Sequence, residues 1–488
     1  MNALPILSIV VLTPIVAGVL IAALGRSATL VRVIAAVAGT VCLAGSGYVF
    51  ATYDRATGGI QFAESVPWIP TLGIDYALGV DGISVPMMLL MGIVVFTGVF
   101  ASWGIDNRPR EFFALLMLLV SGVFGVFAAT DAFALFFFYE MAVVPMYLLI
   151  AVWGSTRKDY SAMKLTLFLF AGSAALLVAL VMIYWQVGAG TFDMSVWAAT
   201  EFPEQFQRWV FLLAFLGFGA LIPIFPLHTW SPDGHVAAPT AVSMMHAGVL
   251  LKLGAYGVLR LGITLFPAGL AHWANTIAVI GTINVLYGAW CAMRQTDLKY
   301  VIGYSSVSHM GYVLLGLAMA NRFGLEGAVF QMFAHGIMTA LFFTLIGYVY
   351  ESVHTRQIAD IAGLAKRTPL VAGAFVVASA ASMGMPSTSG FVAELLVYLG
   401  IIARSPLLAA LVFLGVVVTA GYLLRMLGAI LLGEPSAAVA DLEDPSPLRS
   451  IPVVILAGTI MVVGLMPAPM YETIRSATTP LITRVFGG

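Results

Sequence analysis

Charge is what this chain has least of. Lysine, arginine, aspartate and glutamate make up 9% of its 488 residues, against about 25% in an ordinary soluble domain. That shortage excludes a soluble globular class. The net charge of -1 offers no basic surface, so no nucleic-acid partner is expected. Cysteine is nearly absent too: Cys42 and Cys291 both stand in apolar runs, where they read as packing residues. Without a CxxC or Cys/His spacing there is no metal site and no set of thiolates for an iron–sulfur cluster. No glycine-rich phosphate loop occurs either. The chain should carry no redox centre, metal or cofactor of its own.

What is there is hydrophobic, 61% of the chain. The opening run MNALPILSIVVLTPIVAGVLIAALGR lacks a basic n-region and is expected to be a first span, not a cleaved signal. A span needs about 20 apolar residues. On that measure about fourteen fit, with cores near 3–24, 29–50, 80–102, 112–129, 131–153, 163–187, 207–228, 238–262, 271–293, 299–319, 326–350, 369–402, 405–432 and 450–467. The expected fold is an all-α polytopic membrane protein, a single membrane domain over 1–488. The seventh and twelfth spans carry helix breakers: Pro223 and Pro226 in LIPIFPLH, and Gly384, Pro386 and Gly390 in MGMPSTSGF. Proline removes a backbone donor and clashes with the preceding turn. The freed polar groups are tolerated at membrane depth only under protein or water cover. Two interrupted helices, five spans apart, point to two inverted five-helix repeats around a mid-membrane ion path. Residues 1–110 would hold helices 1–3, 111–262 the first repeat (helices 4–8), 263–432 the second (helices 9–13), and 433–488 helix 14 and a tail. Lysine and arginine favour the gaps after odd-numbered spans by about 13 to 5. The positive-inside rule places those gaps in the cytoplasm, with both termini outward.

Three charged groups lie inside apolar runs: Glu140 in ALFFFYEMAVVPMYLLIAVW, Lys252 in MMHAGVLLKLGAYGVL and Glu394 in SGFVAELLVYLGII. A charge at mid-membrane costs about 2.5–3.5 kcal/mol on insertion scales, so such groups usually serve ion or proton movement. The alternatives are a carboxyl hydrogen-bonded within the bundle for Glu140 and a cap on the second half-helix for Glu394. Lys252 is central in its span, too deep to snorkel easily. Histidine relays protons near neutral pH. His309 and His335, in adjacent apolar helices, are relay candidates, with a satisfied core histidine as the alternative. His228 and His235 sit beside the first break, as relays or loop formers, and His246 should point away from Lys252 on an ideal helix. No pair of histidines has metal-site spacing. Asp297 and Lys299 are expected to cap and anchor a helix at the interface. Lys164 is an anchor of the same kind or reaches towards Glu140. Arg425 is either paired or interfacial, and Asp131 is a cap.

Taken together, FFFYEMAVVPMY around Glu140, PLHTWSPDGHVAAPTAVSMMHAGVLLKLGAYGVLR, QTDLKYVIGYSSVSHMGYVLLG, PSTSGFVAEL and GVDGISVPMMLL resemble the antiporter-like membrane subunits of respiratory complex I. The likeness covers spans 3–13 and is nearest the subunit M (chain 4) type. Related cation/proton antiporter subunits share the PLH and LLKLG regions but tend to a lysine in the twelfth span, so Glu394 favours the subunit M type. So does the short tail after span fourteen, which lacks the long lateral helix of the subunit L type. The resemblance implies a proton-translocating subunit of an NADH–quinone oxidoreductase in a bacterial inner membrane. Glu140, Lys252, Glu394, His309, His335 and His228 would then act as its carriers. NADH, FMN, iron–sulfur clusters and quinone would belong to partner subunits, among them membrane subunits of the L and N types, with the lipid bilayer around them. Protons would enter from the cytoplasm, rest near Lys252 and leave past Glu394.

One departure stands out. The family pattern has a lysine in the broken seventh span, seven residues before the histidine of PLH; here that position is Leu221. The family's acid–lysine switch at Glu140 would lack its cation. Three functions therefore remain open: a proton pump, a non-pumping or differently coupled structural paralogue, and a subunit of a multisubunit cation/proton antiporter. Leu221 favours the second, and Glu394 counts against the third.

Overall fold

The computed structural model describes residues 4–486. Its helices are α1 (Ile6–Leu24), α2 (Ala28–Thr52), α3 (Ser84–Ala101), α4 (Pro109–Ala128), α5 (Ala132–Trp153), α6 (Lys158–Val187), α7 (Glu204–Leu221), α8 (Trp230–Ala237), α9 (Thr240–Ile263), α10 (Pro267–Arg294), α11 (Leu298–Met319), α12 (Arg322–Val353), α13 (Pro369–Ser382), α14 (Ser389–Arg404), α15 (Pro406–Leu431), α16 (Pro447–Leu465) and α17 (Ala468–Phe486). Among the described residues, 12 helices are long and apolar enough to cross a membrane. The fold is of the all-α polytopic membrane class, as its long apolar runs require. Short polar residues set the helix starts: Ser27 accepts from Leu30 N–H, Asp131 from Ala134 N–H, Asp297 from Lys299 N–H and Asn321 from Gly324 N–H. Asp131 is thus the cap that its position predicts.

The expected seventh span is α7, which ends at Leu221, and the chain becomes helical again in α8. The expected twelfth is α13 followed by α14, separated at 383–388. Both openings leave backbone groups that lipid cannot satisfy, and protein supplies the partners. Asn284 of α10 accepts from Phe225 N–H at 2.8 Å and donates to Pro223 O at 3.0 Å. Trp230 donates its indole N–H to Ala220 O at 2.9 Å. At the second break the two half-helices abut so closely that a Cβ on Gly390 would lie 1.9 Å from Ala381 O.

Depth of burial separates core from rim. Every residue in the apolar windows of α9 and α12 is buried, and 94% of that of α11, against 33% for α1 and 22% for α16. The polar residues of α9, α11 and α12 are therefore walled off from lipid, while the rim helices present Val16, Leu407 and Val462 outward.

One element departs from the helix-only expectation. The gap after α2 contains an antiparallel hairpin, β1 (Gln61–Ile69) with β2 (Ile74–Val80). Glu64 of β1 accepts from Leu7 N–H (2.9 Å) and Ser8 N–H (3.0 Å), placing a carboxylate on the otherwise unsatisfied N-terminus of α1. α17 lies on this same hairpin face. Its Thr473 accepts from Arg55 at 2.8 Å, and its Tyr471 donates to Glu326 of α12 at 2.8 Å. Asp81, at the end of the hairpin, pairs with Arg260 of α9. Burial pushes the Asp81 carboxyl up, but the Arg260 guanidinium and the N–H groups of Ser84 and Ile83 outweigh it and hold it below its ordinary value. The opposite face carries the basic loops, tied together by Arg356 with Asp297 and by Arg449 with Glu351.

Removing one partner of a buried ion pair strands the other. Asp81→Asn should therefore lower stability by about 3–5 kcal/mol, read as a fall in melting temperature in detergent. Because the folded carboxyl is depressed, its contribution is present above the ordinary carboxylate range and lost as pH falls through it. The difference between wild type and Asp81→Asn should shrink on acidification and be unchanged above pH about 6.

Candidate functional site

α9 begins after Pro239 and is wound as π-helix over His246–Leu250 and again over Val258–Ile263, a local widening that often accompanies function. Between these two segments stands Lys252, with no exposed surface. Its ammonium donates to Ala247 O at 2.5 Å and lies 2.7 Å from His335 Nδ1 on α12. Among the described residues no carboxylate lies within ion-pair distance of it, so neutral acceptors alone hold a buried cation.

From His335 the polar line continues. Its ring lies 5.3 Å, centroid to centroid, from that of His309 on α11. His309 Nε2 is 2.9 Å from Ser382 Oγ, at the end of α13. His309 Nδ1 is 3.2 Å from Gln331 Nε2 and 3.4 Å from Glu394 Oε1 on α14. The break explains how a carboxyl reaches this place. Gly384 has φ +63°, and a Cβ there would lie 2.6 Å from Glu394 Oε2, so only glycine lets the backbone pass beside the acid. Four of the six carriers expected from sequence thus meet: Lys252, His335, His309 and Glu394.

The other two stand apart. Glu140 is half-buried on α5 beside Ser173, and its Oε1 is buried without a hydrogen-bond partner. An apolar wall lies between α5 and α9: Phe218 meets Tyr139 edge-on at 6.3 Å, and its backbone oxygen and Ile222 close against Gly254. Leu221 is fully buried in this stretch. His228 is packed between Phe225 and Tyr287, both ring nitrogens without partners.

Several groups sit elsewhere than their sequence context suggests. Lys299 is no interfacial anchor; it is 4% exposed, and its ammonium donates to Ala238 O at 2.6 Å and Ser243 Oγ at 3.3 Å. Lys164 neither anchors nor reaches Glu140; it pairs with Asp233 at 2.8 Å, whose other oxygen accepts from Tyr300 at 3.2 Å. Arg425 is interfacial, donating to Gln295 O. His235 belongs to α8, not a loop, and its ring lies 4.3 Å from that of His246. His246 makes no hydrogen bond to Lys252 among the described residues, as helix geometry predicts.

A cavity of about 720 Å³ opens from the basic face, lined by Ser102, Asp106, Lys158, Thr240, Glu351 and Arg449, and it ends on Lys299. Lys299 bonds Ser243, whose hydroxyl donates to the main-chain oxygen of His235, and the His235 ring lies beside that of His246. His235 Nδ1, both His246 nitrogens and His335 Nε2 are buried without partners. Buried polar atoms are rarely left so, and internal water is the usual partner. Lys299, His235, His246, Lys252, His335, His309 and Glu394 thus place titratable side chains from the basic-face cavity to the second break.

Sequence and fold both place the chain beside known proteins. The family model described as NADH:quinone oxidoreductase/Mrp antiporter, TM matches residues 129–419. NAD(P)H-quinone oxidoreductase chain 4 2 of Thermosynechococcus vestitus is 36% identical over 444 residues, 89% of this chain and 83% of that one. Chain 4 of Gloeobacter violaceus is 37% identical over 446 residues, 89% of this chain and 85% of that one. A chain of respiratory complex I from Thermus thermophilus with bound NADH superposes with a TM-score of 0.90 at 29% identity, covering 98% of this chain and 99% of that one. A chain of the Mrp complex from Dietzia sp. DQ12-45-1b shares the fold, with a TM-score of 0.86 at 21% identity over 100% of both.

Gly384→Ala should test the break. The added methyl meets both a positive φ and the Glu394 carboxyl, and should cost about 1–3 kcal/mol of stability. Gly373→Ala, on α13 with open space around its Cβ, should be within about 0.5 kcal/mol of wild type in the same melting assay.

Proposed function

The chain belongs to the NADH:quinone oxidoreductase/Mrp antiporter transmembrane family, and from that footing we propose that it is the proton-translocating, antiporter-like chain 4 (subunit M type) of an NAD(P)H–quinone oxidoreductase. The observation that carries this reading is the line from Lys252 through His335 and His309 to Glu394. Soluble or purely structural bundles have little use for a buried ammonium, two imidazoles and a carboxyl in series. Electron transfer would occur in partner subunits that hold NADH, FMN, iron–sulfur clusters and quinone, and L- and N-type subunits would flank this one in the inner membrane.

In this mechanism the basic face is cytoplasmic. A proton reaches Lys299 through the cavity and passes Ser243, His235 and His246, with internal water joining their unpartnered nitrogens. Lys252 then holds it. Handing that proton to His335 keeps both groups hydrogen-bonded, with the donor role reversed. His309 receives it next and passes it to Glu394, which Ser382, Gln331 and Gly384 hold in place directly or through His309. The two broken helices support reading 111–262 and 263–432 as inverted repeats around this line, with both chain ends on the outward face.

The apolar wall at Phe218 and Leu221 supports a second reading, in which coupling through Glu140 is altered and the subunit pumps less than its relatives. The cation/proton antiporter reading has only fold-level likeness behind it.

Proton uptake per electron by the parent complex in vesicles separates these readings. Lys252→Ala should leave the complex assembled and lower the ratio; a normal ratio would sink the pump assignment. Leu221→Lys should leave the ratio unchanged if the first half-channel is bypassed, and raise it if that half is incomplete.

A further inference from the structure

A second polar cluster lies between Lys252 and the hairpin face, separate from the hydrogen bonds that the ammonium makes to Ala247 O and His335. Tyr256 is one helical turn further along α9, on the same side as Lys252. Its hydroxyl lies 3.0 Å from Ser84 Oγ, and Ser84 Oγ is 3.3 Å from Asp81 Oδ1 at the foot of the hairpin. Tyrosine, serine and aspartate in series would be a short circuit if internal water joined Tyr256 to Lys252, because a proton resting there could step off to the hairpin face. Arg260 closes this string. It follows Lys252 by eight residues, roughly 12 Å along the helix.

We propose that Arg260, clamped by Asp81, is a fixed-charge seal that bars protons at Lys252 from the hairpin face and so forces them sideways to Glu394. This rests on the reading of Lys252 as a proton carrier. The geometry favours a seal over an exit at each member of the string. Arg260 donates to Asp81 Oδ2 at 2.7 Å, to Asp81 Oδ1, and to Ser84 Oγ at 2.8 Å, and its guanidinium stands 5.0 Å from the centre of the Tyr256 ring. Arginine cannot release a proton in a protein, so it is a permanent positive charge and not a relay. A fixed cation facing a narrow polar path excludes protons by repulsion. Both Asp81 oxygens are engaged: Oδ2 accepts from Arg260, and Oδ1 also takes Ile83 N–H at 2.9 Å and Ser84 N–H at 3.0 Å. The Tyr256 hydroxyl donates to Phe127 O at 3.0 Å, a carbonyl that cannot pass a proton on.

The test uses the whole complex in vesicles, with passive proton conductance measured at an imposed pH gradient and no electron donor. Asp81 and Arg260 are neutralised together as Asp81→Asn/Arg260→Gln, which strands no single buried charge. The expected result is a leak about tenfold or more above wild type, because the guanidinium facing Tyr256 and Ser84 is lost. Adding Lys252→Met should abolish that leak, and Arg260→Lys, which keeps the charge, should stay tight. An unchanged conductance in the neutral pair, or a leak equal in Arg260→Lys, overturns the seal. If the neutral pair fails to assemble, Tyr256→Phe decides: the seal predicts full pumping, and reduced pumping without leak would mean that the string is an exit. Normal pumping in Lys252→Met alone would defeat the carrier reading instead, whatever the leak shows.

Discussion

A hydrogen-bonding group left without a partner in hydrocarbon costs several kcal/mol, and that constraint shapes most of what is unusual here. Where α7 stops short, Asn284 and Trp230 supply the missing partners. Where α1 begins, Glu64 reaches in from the hairpin to do the same. Arg260 is met by an acid, a serine hydroxyl and an aromatic ring. Against this background the unpartnered nitrogens of His228, His235, His246 and His335 stand out. Those of the last three lie between the Lys299 cavity and Glu394, where water has a way in. The His228 ring lies among aromatic rings, off that line.

The same constraint explains the asymmetry between the two halves. Around the second break a glycine, a serine and a glutamine shape a berth for Glu394 and its histidine. Around the first, Leu221 and Phe218 fill the equivalent depth with apolar volume, and Glu140 is left near the rim with Ser173 beside it. A cation at position 221 would need a partner; a leucine needs only a close fit.

Much of this was legible in the sequence, for reasons that differ by residue. The breakers Pro223, Pro226, Gly384 and Gly390 act locally, so their effect could be read without knowing neighbours. Lys252 and Glu394 announced themselves by sitting inside apolar runs. Lys299 did not, because it follows a capping aspartate, and the first turn of a helix is where surface lysines are common; its burial comes from α8 and α9 folding over it. Arg260 stands near the end of its helix, where a basic residue is unremarkable, and its partner Asp81 lies 179 residues earlier. Glu326, wholly buried, was masked by Arg322 one turn before it, a spacing that on most helices means an exposed pair. The hairpin was hidden because its strands are short and half-exposed, with weak alternation.

α17 draws these parts together in a mechanical sense. Thr473 presses on the turn at Gly82, where a Cβ would fall 2.0 Å from its carbonyl, while Tyr471 grips Glu326 of α12. α12 also carries Gln331 and His335. One strut therefore spans the foot of the Asp81 turn and the helix that holds the middle of the polar line. Sliding α12 by a fraction of an ångström would load that strut, and the load would be borne at a glycine with no room to yield. The Asp81 turn and the helix carrying His335 are braced against the same beam.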